Sequence, residues 1–149
     1  MNSYKKLLTL FLTLILVLSL LLPASSAQAA DRDMIRILFT HDMHSSITPA
    51  AVFEDGSLAE SGGYARLYTA IKQEKAQCPD NTLLVDAGDY SMGTLFQVLE
   101  TTQSPELCLI GKMGYDAVTV GNHEFDYTGA GFAKSLEAAK QSGGPLPAY

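Results

Sequence analysis

Short apolar runs alternate with helical stripes along most of the chain, a rhythm that predicts parallel βαβ units. Residues 35–40 form the first predicted strand, and a polar loop with Pro49 and Gly56 follows. A helix is predicted from residues 61–63 to Gln77, because Tyr64, Leu67, Tyr68 and Ile71 recur at i, i+3, i+4 and i+7. Pro79 and Asn81 break it. Thr82–Asp86 reads as a second strand, continuously apolar as in a sheet covered on both faces. Ser104 as N-cap, Pro105 and Glu106 then open a short helix that Gly114 stops. Residues 117–120 are the third strand. The third helix spans Thr128–Gln141, with Phe132, Leu136 and Ala139 inward and Asp126 or Thr128 as candidate N-caps. Residues 145–149 approach a fourth strand.

The amino-terminal pattern differs. Lys5 and Lys6 precede an apolar run over residues 7–22, broken only by Thr9, Thr13 and Ser19. Pro23 leads to Ala27-Gln28-Ala29, an A-x-A cleavage signal, so residues 1–29 read as a signal peptide and residues 30–149 as the domain. The run is somewhat short for a membrane span, with an uncleaved anchor as the alternative reading; cleavage would leave the product without a membrane segment. It is expected to be exported to a periplasm, cell wall or medium. The whole sequence has net charge −6; the leader carries two lysines and no acid, so the mature chain carries −6 − 2 = −8. Such a surface disfavours a nucleic-acid polymer as partner, and it opposes anionic substrates unless bound cations invert the local field. Cys78 and Cys108 lack metal-type spacing; export permits a disulfide, and two half-buried thiols fit equally well.

Each predicted strand ends in ligand-type residues: His41-Asp42-Met43-His44, then Gly88-Asp89, then Gly121-Asn122-His123-Glu124-Phe125-Asp126. Sites in open α/β sheets form at the carboxyl ends of strands, so three loops should meet at one edge. In extended backbone Asp42 and His44 project the same way and His41 points away, as a structural residue. Gly88 permits a sharp turn that carries Asp89 over the sheet edge. Asp86 is a candidate for burial or capping. Asn122 can offer an amide oxygen to a metal, and Asp126 can orient the His123 ring.

The ordered set Asp42-x-His44, Gly88-Asp89 and Gly121-Asn122-His123-Glu124 resembles the calcineurin-like metallophosphoesterases. The flanking Ile37-Leu38-Phe39-Thr40, Gly62-Gly63-Tyr64-Ala65-Arg66, Gly93-Thr94 and Gly114-Tyr115-Asp116-Ala117 resemble the secreted 5'-nucleotidase and UDP-sugar hydrolase branch. The resemblance implies an α/β fold: the N-terminal half of an αββα sandwich, βαβαβα and largely parallel, left incomplete. It implies hydrolysis of phosphate esters, nucleotides above all, with two divalent metal ions (Mn, Zn, Fe or Co). Asp42 and His44 would hold one metal, Asp89 would bridge, and Asn122 would hold the second. His123, oriented by Asp126, would be catalytic, and Glu124 structural. The family's remaining histidine ligands, including Gly-His-x-His, have no counterpart, since no histidine follows His123. An inactive exported remnant with weak metal binding is the alternative expectation, together with an open apolar face and poor solubility.

Overall fold

The computed structural model describes residues 3–21 and 34–149, in two compact units divided after Asp31. The first unit holds helix α1, Ser3–Leu21, in which the Thr9 hydroxyl donates to the Lys5 carbonyl. Among the described residues no helix is long and apolar enough to cross a membrane. The cleavage signal at residues 27–29 lies outside the described residues.

The second unit is built on a parallel three-stranded sheet. Strand β1 is Arg36–Thr40 and is followed by a hairpin of β2, Ala50–Glu54, and β3, Ser57–Ser61. Helix α2, Tyr64–Gln77, leads to β4, Thr82–Asp86; α3, Pro105–Met113, leads to β5, Ala117–Val118; α4, Thr128–Gln141, follows. The sheet order is β1-β4-β5, with Ile37 beside Leu83, Phe39 beside Val85 and Val85 beside Ala117. Ala148 bridges Ala117 in parallel, so the tail does take the place of the next strand.

Strands added in one direction through right-handed crossovers place their helices on one face. Leu84 and Val118 accordingly share a core with Ile71 of α2, Leu107 and Ile110 of α3 and Ala139 of α4. The opposite face is open. Ile37 is 60% exposed, Phe39 66% and Leu83 42%. The expectation that β4 is covered on both faces therefore fails among the described residues, while the expected open apolar face is present.

Three other expectations change. The predicted polar loop contains the β2–β3 hairpin, closed by Asp55 and Gly56, both at positive φ (49° and 79°), as a two-residue Asp-Gly turn requires. The third strand stops at Val118 rather than residue 120. Ser104 occupies the N-cap of α3 as expected but makes no side-chain cap bond there, while the N-cap of α4 is Tyr127 rather than Asp126 or Thr128. The Ser104 hydroxyl instead meets that of buried Ser135, 2.8 Å away, tying α3 to α4.

Candidate metal and phosphoester site

The three motif loops meet at the carboxyl edge of the sheet. The first and second are joined backbone to backbone: Asp42 N–H donates to the Gly88 carbonyl (3.0 Å), His44 N–H to Asp89 (3.0 Å) and Ser45 N–H to Tyr90 (2.8 Å). The second and third are joined through Asp89, whose Oδ1 accepts from His123 N–H at 2.9 Å.

Glu124 ties the second and third loops together. It is fully buried. Its Oε2 accepts from the amides of Asp89 (3.0 Å) and Gly121 (2.7 Å), and its Oε1 accepts from the Ser91 amide (3.0 Å) and hydroxyl (2.9 Å). One carboxylate thus satisfies four donors on two loops, a charge-assisted arrangement that a neutral side chain cannot reproduce. Asp86, also buried, accepts from the Thr40 hydroxyl and from Gly88 N–H. Burial raises its pKa, and those two bonds oppose the rise.

The approach is too close for side chains at two glycines. A Cβ on Gly121 would lie 2.2 Å from Asp89 Oδ1, and one on Gly88, itself at φ +96°, would lie 2.5 Å from the Gly121 nitrogen.

Asp42 and His44 are neighbours for a different reason from the extended geometry expected. Both are left-handed, at φ 51° and 45°, as is Asp89 at 54°. Such conformations in non-glycine residues are costly, and the cross-loop amide bonds hold them. His44 Nε2 stands 3.5 Å from Asp42 Oδ1. Nor does His41 point away: its Nδ1 lies 2.6 Å from Asp42 Oδ2, and its ring stacks on Phe39. The His41 hydrogen bond holds the Asp42 carboxyl below the usual carboxylate range.

The His123 ring lies edge-on to that of His44, centroids 5.1 Å apart. Its Nδ1 is 2.8 Å from Asp126 Oδ2, as expected, and this bond raises the His123 pKa above its ordinary value. Asn122 sits exposed on the same loop. The site therefore gathers carboxylate, imidazole and amide donors of the kind that hold Mn, Zn, Fe or Co. Asp42 and His44 are paired closely enough for one ion, yet among the described residues no group of three His, Cys, Asp or Glu is placed to hold one. The donor chemistry fits a metal, and the set is partial.

Ser45, Ser91 and the buried Tyr90 brace the loops and were not legible beforehand. Isolated serines carry no sequence signal. Gly93-Thr94 did carry one: the Thr94 hydroxyl donates to the Ser45 carbonyl, and a Cβ on Gly93 would lie 2.9 Å from the His44 Cβ.

Comparison with known proteins agrees with this arrangement. The family profile described as calcineurin-like phosphoesterase matches residues 35–145. The chain is 39% identical to a 5'-nucleotidase of Mus musculus over 117 residues, covering 76% of this chain and 19% of the relative. It is 31% identical to a 2',3'-cyclic-nucleotide 2'-phosphodiesterase/3'-nucleotidase of Haemophilus influenzae over 141 residues, covering 90% and 20%. The solved NAD nucleotidase of Haemophilus influenzae superposes with TM-score 0.62 at 28% identity, over 70% of this chain and 19% of that one. The chain thus spans about a fifth of the length of these proteins. It belongs to the calcineurin-like phosphoesterase family of metal-dependent phosphoric ester hydrolases, on the 5'-nucleotidase branch.

Proposed function

We propose that the three-loop edge serves two-metal hydrolysis of nucleotide phosphate esters, in a polypeptide whose further residues complete the ligand set. The convergence of Asp42, His44, Asp89 and His123 carries the reading. Asp42 and His44 would hold one cation, Asp89 would bridge, and Asn122 would hold the second. Bound cations supply Lewis-acid charge and an activated water, and they offset the acidity of the chain.

His123 keeps its own role. Asp126 engages Nδ1 and favours the protonated ring, leaving Nε2 to donate to a phosphoryl or leaving oxygen. Glu124 takes no part in the chemistry; it fixes the backbone that presents Asp89. Nucleotides are the preferred substrate class because the names of the relatives specify 5'-nucleotides, cyclic nucleotides and NAD. The basic, apolar leader supports export with cleavage after Ala29.

The partial donor set supports a second reading for the 149-residue chain by itself: weak metal binding without turnover. Hydrolysis of AMP with added Mn²⁺ separates the two. Release of phosphate by the purified 149-residue chain eliminates the second reading. For the first, a longer form bearing this segment should turn over nucleotides and lose the activity in Asp89→Asn; equal rates in the variant end it.

A further inference from the structure

Of the three histidines, His41 alone has no part in the proposed chemistry. Its ring nevertheless engages a metal-site residue directly, with Nδ1 2.6 Å from Asp42 Oδ2. An ionised carboxylate only accepts hydrogen bonds, so the ring is the donor and Nδ1 carries the proton. Such a bond is charge-assisted and stronger than one between neutral groups. The ring also has an apolar anchor. His41 stands two positions after Phe39, so both side chains lie on one face of the sheet. Their rings stack, with 18° between the planes and centroids 6.1 Å apart.

The consequence falls on the other oxygen of Asp42. The terminal torsion of an aspartate is broad, and the Asp42 side chain is 55% exposed, so packing does not set its carboxyl plane. The His41 bond does. With Oδ2 held by His41, Oδ1 faces His44 Nε2 at 3.5 Å. Two ligand atoms each about 2.1 Å from one ion and 3.5 Å apart subtend about 110° at it, close to tetrahedral. Oδ1 and Nε2 are thus spaced for a shared cation.

We propose that His41 is a positioning residue: its Nδ1–H holds Asp42 Oδ2 and thereby turns Oδ1 toward the cation shared with His44. The proposal rests on the reading that Asp42 and His44 bind one ion. Partners of this kind orient a ligand without touching the metal, and losing one weakens metal affinity by about 10- to 100-fold.

The test uses the isotopically labelled 149-residue chain, with and without Mn²⁺. Without metal, nitrogen-15 correlation spectra of the imidazoles should show the neutral His41 ring as the Nδ1–H tautomer; the Nε2–H tautomer overturns the proposal. The His41 side chain is 61% exposed, so substitutions there leave the core untouched. His41→Phe keeps an aromatic ring for Phe39 and removes the donor. Its apparent Kd for Mn²⁺, read from broadening of the residue 42–44 amides, should rise by about 10- to 100-fold. His41→Asn returns an N–H donor and should recover much of the lost affinity. A phenylalanine variant that binds as tightly as wild type overturns the proposal, and so does an asparagine variant no better than phenylalanine. Should wild type and variants alike show no broadening at residues 42–44, the shared-cation reading fails. The positioning claim is then decided without metal, by the tautomer and by the Asp42 carboxyl carbon shift: a shift in His41→Phe equal to that of wild type overturns it.

Discussion

Replacing Glu124 by glutamine tests the link between sequence and site most sharply. The carboxylate accepts four hydrogen bonds in a dry environment, two on each oxygen. Glutamine has the same shape but only one acceptor oxygen. The backbone amides of Asp89 and Gly121 cannot turn, so the oxygen should face them and the NH₂ should face Ser91. The Ser91 hydroxyl can rotate to accept, which leaves the Ser91 amide orphaned. An orphaned buried donor costs about 1–3 kcal/mol, and every 1.4 kcal/mol is about tenfold. Amide hydrogen exchange at Ser91 should therefore accelerate by roughly 5- to 150-fold, with smaller changes at Asp89 and Gly121. Glu124→Ala strands all four donors and should accelerate all three amides by more than about a thousandfold. Unchanged exchange at Ser91 in the glutamine variant refutes the reasoning. Equal acceleration throughout the second unit would show a global rather than a local role.

Other outcomes follow from the same geometry. Gly121→Ala places a Cβ on the Asp89 carboxyl and should displace it, moving the Asp89 and His123 amide resonances well beyond those of Gly129→Ala, where the added methyl meets open space. Glu100 has a folded-state pKa raised from 4.5 to about 7, so the folded form holds a proton that the unfolded form has lost, and stability falls as pH rises from about 4.5 to about 7. Glu100→Gln should flatten that decline by about 1–3 kcal/mol in pH-dependent denaturation; an unchanged slope contradicts the assignment. Phe39→Lys on the open sheet face should reduce self-association and dye binding relative to wild type in light scattering and ANS fluorescence. In an active longer form, His123→Asn should lower turnover by roughly 10²–10⁴-fold, as expected for loss of a proton donor.

Much of the fold was legible because its cues are local and repeat. The apolar runs at residues 35–40 and 82–86 are strands, and the Tyr64–Leu67–Ile71 stripe is helical. The hairpin was missed because its apolar residues, Phe53 and Leu58, face solvent rather than a core; its Asp55-Gly56 turn was the available signal. At the site, Gly88, Asp89 and the Asn122–Asp126 cluster announced themselves by residue type. The conformation of Asp42 and His44 did not. Left-handed backbone in non-glycine residues is imposed by hydrogen bonds from a loop more than 40 positions away, which no local pattern encodes. The same holds for Ser91, whose role exists only because Glu124 reaches it from another loop.

Paramagnetic broadening by Mn²⁺ probes the central claim most directly. When Mn²⁺ is titrated into the isotopically labelled chain, the amide signals of residues 42–44, 88–90 and 121–124 should broaden together at the lowest metal concentrations, while α4 beyond Leu136 stays sharp. Broadening confined to a single loop, or spread over surface carboxylates such as Glu54 and Asp80 with no preference for the three loops, would contradict a shared metal centre.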